Sequence, residues 1–240
     1  MRTTNLFFIP NRDLSPPTLM PYASIHPRHP DLQVAFGQNT FDAEGQEARG
    51  PFFSRVMHWP GGRSGVTVGR GYDMGQRTRS QVLSELRHAG MSLQDATFYA
   101  EAAGLRGESA AQFVRTRMVE SPVLSLAVQR KLFEDITAVE TVADVRRILL
   151  NESVQARYGA VAWEDLSGYA QEIVFDLRYR GDYTSTTRAL LQPLLVARDD
   201  EGLRAAMRDT AYWSQHGVPL DRIRQRGNLE PYGMVAREAS

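Results

Sequence analysis

Glycines and alternating apolar residues distinguish one short stretch of the chain from the rest. Between residues 61 and 75, six glycines surround Val66, Val68 and Tyr72, which alternate with smaller or polar residues. Alternation with a period of two, interrupted by glycines that suit tight turns, is typical of paired strands. The pattern therefore predicts a β-hairpin or small sheet over about residues 62–75.

From residue 78 onward, apolar residues recur every three to four positions, which is typical of amphipathic helices. Ser92 followed by Asp95 indicates a helix start, and Ala89-Gly90 indicates a helix end. A small β-element followed by a predominantly helical lobe predicts the α+β class. The predicted helices cover residues 80–89, 92–104, 109–118, 124–136, 142–150, 163–179, 186–197, 201–212 and 219–226.

Prolines set the N-terminal part of the chain apart from the remainder. Six of the twelve prolines lie between residues 10 and 30, and each removes a backbone hydrogen-bond donor. We therefore expect residues 1–32 to be an extended arm without a core, and residues 33–240 to form one domain. Apolar residues over 32–41 predict a short helix that stops near Glu44-Gly45, because glycine favours a helix end.

Charge balance and the absence of cysteine narrow the classes of function. The 28 basic residues equal the 28 acidic ones, so net charge gives no reason to expect nucleic acid or a membrane surface as a partner. Without cysteine, thiol catalysis, disulfides and thiolate metal sites are excluded. The first ten residues lack the apolar core of a signal peptide, and no segment has the length of a membrane span, so we expect neither.

Carboxylates are the side chains that the sequence offers for catalysis. The five histidines show no HExxH or similar metal spacing, and neither a GxSxG elbow nor a P-loop is present. Cleavage of a glycosidic bond needs a protonated carboxylic acid and a second polar group. Glu44 at a helix end and Asp73 on the hairpin can form two walls of a cleft, although both are also common structural placements.

Two stretches of the sequence resemble the phage-type lysozyme superfamily. Glu44-Gly45 and the block from Ser64 to Gly75, read as SGVTVGRGYDMG, are similar to the active-site region of the pesticin-like lysozyme toxin domains. Residues 171–177 and 187–192 resemble the central helical hairpin of phage lysozymes, and residues 211–222 resemble a segment near their C-terminus. The resemblance covers roughly residues 36–228 and is loose over 92–160.

The resemblance implies a lysozyme-like fold and a peptidoglycan hydrolase of the muramidase type, with inversion at the anomeric carbon and no metal or cofactor. Glu44 would be the general acid, Asp73 would orient or deprotonate the attacking water, and Thr67 would hold that water. An arginine that pairs with the catalytic glutamate falls on Arg222, with Arg224 and Arg226 as alternatives.

Four further residues are candidates for binding the saccharide because of their position. Arg70, Gly71 and Tyr72 directly precede Asp73 on the predicted hairpin, and alternation suggests that Tyr72 packs inward. Trp59 lies between Glu44 and the hairpin, where its ring can stack on a sugar or pack in the core.

The expected partner is the glycan strand of peptidoglycan in another cell. Such an antibacterial toxin would be made in the bacterial cytoplasm, delivered to the target periplasm by type VI secretion or by receptor-mediated bacteriocin import, and neutralised by a cognate immunity protein. Two alternatives stay open at this point: a phage endolysin, and a lysozyme-like module that binds peptidoglycan without cleaving it.

Overall fold

A computed structural model describes residues 29–48 and 53–229 of the chain. The predicted arm falls almost entirely outside these residues, and its described end is a 3-10 turn, Pro30–Leu32. Helix α1, Gln38–Ala43, follows and ends at Glu44. The α1 helix begins later than the apolar pattern suggested, after Gly37, whose φ of 75° lies in the left-handed region.

The predicted hairpin is confirmed and is very short. Strand β1 is Thr67–Val68, strand β2 is Tyr72–Asp73, and the two pair antiparallel. In the register, Thr67 lies opposite Asp73 and Val68 lies opposite Tyr72. Glycines at 69 and 71 have φ angles of 63° and 90°, so they supply the positive φ that the tight turn requires.

Helices make up most of the remaining described chain, which confirms the α+β class. Helix α8 is the longest and runs through the interior, with seven buried residues. The helices are α2 Arg79–His88, α3 Leu93–Ala100, α4 Glu108–Arg117, α5 Leu126–Lys131, α6 Ala138–Leu149, α7 Glu152–Tyr158, α8 Gly168–Arg180, α9 Arg188–Ala197, α10 Asp200–Arg208, α11 Thr210–Gln215 and α12 Leu220–Gly227.

Hydrogen-bonding side chains explain where several helices begin. Ser92 accepts a bond from the Asp95 amide, as the sequence predicted, and Ser167 caps α8 through the Ala170 amide. The predicted helix 201–212 is wrong in one respect, because Asp209 accepts from the Tyr212 amide and starts a separate helix there. Helix α7 was not predicted; Asn151 caps it.

Two hydrophobic cores meet at a π-helical segment, Leu132–Thr137, that joins α5 to α6 without a break. One core contains Val66, Val68 and Tyr72 of the hairpin region with residues of α2 to α5. The other surrounds α8 and includes Phe41 of α1. Leu132 belongs to the first core and Phe133 to the second, so this segment connects the hairpin side of the molecule to the helical side.

Over residues 29–48 and 53–229, no helix has the length and apolar character that crossing a bilayer would require.

Candidate functional site

Glu44 lies at the C-terminal end of α1, where its backbone amide still bonds the Thr40 carbonyl. Its side chain retains 31% exposure, and one carboxylate oxygen lies 3.0 Å from Nη2 of Arg222 in α12. The Arg222 side chain is only 7% exposed. The ion pair expected between these two residues is therefore present, and it fixes Glu44 at the border between the interior and solvent.

Burial raises the pKa of the Glu44 carboxyl above its ordinary value. The opposing influence is the Arg222 guanidinium, which favours the ionised form, whereas the nearby Asp176 carboxylate disfavours it. A carboxyl that is partly exposed and held towards its protonated form can donate a proton to a bound ligand.

Thr67 and Asp73 face each other across the hairpin. Both backbone groups of Thr67 bond His58, with N···O distances of 2.9 and 2.8 Å. Thr67 and Asp73 therefore form a non-hydrogen-bonded pair, in which Cα atoms lie about 4.5 Å apart and side chains on one face are close. The register thus brings a hydroxyl and a carboxylate together.

Backbone amides orient the Asp73 carboxylate. Oδ2 accepts a bond of 3.0 Å from the Gly65 amide, and Oδ1 accepts one of 2.6 Å from the Gly75 amide. A Cβ at Gly65 would overlap this carboxylate and the Gly75 backbone, so glycine at 65 is needed for the arrangement. Thr67 is only 4% exposed, and its hydroxyl makes a long contact of 3.4 Å with the Gly65 carbonyl; its contact with a water or ligand stays a prediction.

The turn of the hairpin packs against the segment that carries Glu44. Arg70, at the turn, bonds the Phe41 carbonyl of α1 and lies over the Phe41 ring, 3.8 Å from its centroid. Its Nη2 bonds Glu47 at 2.8 Å. A Cβ at Gly45 would overlap the Arg70 guanidinium. Glycine after Glu44 is therefore explained by the close approach of Arg70.

Backbone hydrogen bonds make a second link between the two halves of the site. The Ser54 amide bonds the Gln46 carbonyl at 3.1 Å, and the Gly69 amide bonds the Ser54 carbonyl at 2.8 Å. Ser54 therefore connects the segment that follows Glu44 directly to the hairpin turn. The sequence predicted Glu44 and Asp73 on opposite walls of a cleft; that cleft stays a prediction, and in the structure Arg70 and Ser54 link the two segments that carry these residues.

Two of the residues predicted to bind substrate are buried, which the sequence did not predict for Arg70. Arg70 is 4% exposed and Tyr72 is 1% exposed. The Tyr72 hydroxyl donates to Glu85 at 2.6 Å on the inner side of the hairpin, as alternation suggested. Both side chains bond protein groups and so support the site from within; contact of Arg70 and Tyr72 with a saccharide stays a prediction.

The other two candidates for substrate binding, Gly71 and Trp59, retain exposed surface. Gly71 is exposed at the hairpin turn, and the hydroxyl of Tyr179 in α8 packs beneath it while donating to the Arg70 carbonyl at 2.9 Å. Trp59 is partly buried and donates from Nε1 to the Ser64 carbonyl at 3.3 Å. Their contact with a saccharide stays a prediction.

Sequence reasoning missed a buried charge cluster behind Glu44. Asp176 of α8 is fully buried and accepts hydrogen bonds from Arg222, from Arg226 and from the Thr40 hydroxyl. Arg226 also bonds Asp182 at 2.7 Å. Two features of the sequence could have indicated this cluster: an aspartate within the apolar run IVFDL, and two arginines four residues apart. Aspartate and arginine are seldom buried without a charged partner, so each implies the other.

Within the ranges that the structure describes, no group of three or more His, Asp or Glu side chains is arranged to hold a metal ion. Glu44, Thr67 and Asp73 supply groups of the types that general acid–base chemistry uses: a carboxyl with a raised pKa, an oriented carboxyl group and a hydroxyl.

Comparison with known proteins gives a family without an assigned activity. A family model described as a domain of unknown function (DUF8812) matches residues 37–227, a range that includes Glu44, the hairpin and Arg222. No curated protein matches the chain. Since the match extends over well more than half of the sequence, the chain belongs to the DUF8812 family.

Proposed function

We propose that the chain is a glycoside hydrolase that cleaves the glycan strand of peptidoglycan, a muramidase with a lysozyme-like fold. The observation that carries the proposal is Glu44: a partly exposed carboxyl, fixed by Arg222, whose pKa is raised by burial. A glycosidase needs such a group to protonate the leaving oxygen near neutral pH.

The hairpin supplies the second half of the proposed chemistry. Asp73, with both oxygens oriented by backbone amides, directs the attacking water or stabilises positive charge at the anomeric carbon. Thr67, opposite Asp73 in the register, holds the same water through its hydroxyl. We propose an inverting reaction, which requires room for one water between the sugar and Asp73.

The order of the elements supports the lysozyme-like assignment. A short helix ends at Glu44, a two-stranded hairpin carries Thr67 and Asp73, and a helical lobe with a long buried helix follows. The arginine that pairs with Glu44 comes from α12, the last helix of the described residues. The same order and pairing are what the sequence resemblance to the phage-type lysozyme superfamily implies.

The biological setting rests on the sequence resemblance alone. We propose an antibacterial toxin that acts on the wall of another cell and is neutralised in the producer by an immunity protein. An immunity protein encoded beside the chain would favour the toxin over a phage endolysin, because an endolysin needs no such partner.

Zymography on purified peptidoglycan tests the activity directly. We expect clearing by the full chain and a loss of roughly 10²–10⁴-fold in Glu44→Gln, because general acid catalysis contributes about that factor. Asp73→Asn and Thr67→Val should also lose turnover while remaining folded. Glu120→Gln is the matched control, since the Glu120 side chain is 62% exposed and pairs with Arg117 of the described chain; this variant should clear like the wild type.

The outcomes separate the enzyme from a binding module. Equal clearing by Glu44→Gln and the wild type would remove Glu44 from its role. A folded wild type that sediments with peptidoglycan and never clears it would contradict the enzyme and support the non-catalytic alternative.

A further inference from the structure

Arg222 is shared between two carboxylates, one at the surface and one in the interior. Its Nη2 lies 3.0 Å from Glu44 and bonds Asp176 at 2.5 Å, while its Nε also bonds Asp176 at 3.2 Å. Asp176 therefore receives a two-pronged contact from the planar guanidinium, and Glu44 receives one corner of it. Arg222 thus makes two contacts with the interior carboxylate of Asp176 and one with Glu44.

Asp176 is itself held from three sides. The Thr40 hydroxyl in α1 donates to Oδ1 at 2.7 Å, and Arg226 donates to Oδ2 at 2.6 Å. Arg226 is anchored in turn by Asp182 at 2.7 Å. Because Asp176 is fully buried and bonded in this way, neither it nor Arg222 can turn towards Glu44 without breaking other bonds.

We propose that Asp176 is a positioning residue for the Glu44 site, holding Arg222 so that Glu44 receives only part of its charge. The inference rests on the proposed function, in which Glu44 must keep its proton until the sugar is bound. Without a competing carboxylate, a neighbouring arginine would favour the ionised glutamate and weaken it as an acid.

The groups that bear on Glu44 come from two helices. Arg222 and Arg226 of α12 favour its ionised form, Arg180 of α8 does the same, and Asp176 of α8 opposes them. The Tyr179 hydroxyl of α8 is also close, and its own pKa is raised by burial and by Glu44. Asp176 is thus the carboxylate among these groups that offsets the three arginines.

The test is a carbon NMR titration of the Glu44 carboxyl in the full chain. In Asp176→Asn, a side chain of nearly equal volume, the Glu44 midpoint should move to lower pH because Arg222 loses its charged competitor. In Arg226→Gln, the Glu44 midpoint should move to higher pH, because a positive charge near Glu44 is removed and Asp176, with one arginine fewer, interacts more strongly with Arg222. Asp144→Asn is the control: Asp144 pairs with Arg178 and Arg147 and is not among the groups that act on Glu44.

Activity gives a second readout of the same shift. The basic limb of the pH–rate profile should follow the Glu44 midpoint to lower pH in Asp176→Asn, so that the rate lost at pH 7 is recovered at lower pH. A folded Asp176→Asn with an unchanged midpoint would overturn the inference. If that variant does not fold, an unchanged midpoint in Arg226→Gln overturns it instead. The titration needs no turnover, so absence of cleavage by the wild type contradicts the proposed function separately.

Discussion

Replacing Gly71 by alanine tests how the hairpin turn packs on the helical side of the molecule. Gly71 has a φ of 90°, and a Cβ there would lie well under 3.0 Å from the Tyr179 hydroxyl. The Tyr179 ring cannot easily move away, because it packs against Phe133 and Phe175. The substitution should therefore push the turn and α8 apart.

The cost in unfolding free energy has three parts, which one smaller gain offsets. Positive φ in a residue other than glycine costs on the order of 1–3 kcal/mol. Forcing a methyl group against Tyr179 adds about 1–3 kcal/mol of overpacking, and losing its bond to the Arg70 carbonyl adds about 1 kcal/mol. Alanine also lowers the conformational entropy of the unfolded chain, which adds about 0.4–1 kcal/mol to the stability of the fold. Gly71→Ala should thus lose about 4 kcal/mol of unfolding free energy.

Gly104→Ala is the matched control, because Gly104 has a φ of 77° and an added Cβ would meet nothing within 4 Å. It should lose only the backbone part, about 1–2 kcal/mol. Urea unfolding with a shared m-value measures both losses. Equal losses in Gly71→Ala and Gly104→Ala would refute the packing of the turn on Tyr179. Tyr179→Phe, which removes the overlapping oxygen, should recover part of the Gly71→Ala loss.

Three further predictions concern stability. Arg226→Ala should cost about 3 kcal/mol of unfolding free energy, because it removes one of the two guanidinium groups that bond the fully buried Asp176 and leaves Arg222 as the other. Arg224 is exposed on the same helix, so Arg224→Ala should change the unfolding free energy by less than about 0.5 kcal/mol; similar losses in urea would contradict the buried cluster. Burial raises the pKa of the Glu44 carboxyl in the folded chain above its ordinary value of 4.5. Ionisation of Glu44 therefore destabilises the fold progressively as the pH rises from 4.5 through the folded-state pKa. Glu44→Gln should therefore gain stability relative to the wild type over that range, and a difference that is the same at pH 4 and pH 8 would count against the raised pKa. Thr78→Ala should cost about 1 kcal/mol because it removes the capping box of α2, and thermal unfolding should show the loss.

The sequence predicted what depends on neighbouring residues. Val66, Val68 and Tyr72 specify a hairpin by their spacing, and the turn glycines limit where it can fold back. Ser92 satisfies a backbone donor three residues away, so its cap could be read directly. Asp209 was harder to interpret, because it caps a new helix inside a run whose apolar spacing alone continues without interruption.

The site was only partly predictable for a similar reason. The hairpin fixes the Thr67–Asp73 pair locally, and the resemblance to the phage-type lysozyme superfamily pointed to Glu44 and, with Arg224 and Arg226 as alternatives, to Arg222. The burial of Arg70 was not predicted because its partners, Phe41 and Glu47, lie more than twenty residues away in the sequence, and a charged residue on a hairpin is ordinarily exposed.

The interior cluster around Asp176 depends entirely on tertiary contacts. Thr40, Arg222 and Arg226 come from two helices at opposite ends of the described chain. Helical periodicity places Asp176 on a buried face but does not name the donors that satisfy it. Only the packing of α1, α8 and α12 shows why a carboxylate is tolerated there.

Mass spectrometry of the products released from purified peptidoglycan tests the central claim most directly. After borohydride reduction, the wild-type chain should give disaccharide-peptides that end in reduced N-acetylmuramic acid, and Glu44→Gln should give none. Products with reduced glucosamine ends, anhydro-muramic ends or free stem peptides would contradict muramidase cleavage by Glu44, and so would an unchanged polymer after prolonged digestion by the folded wild type.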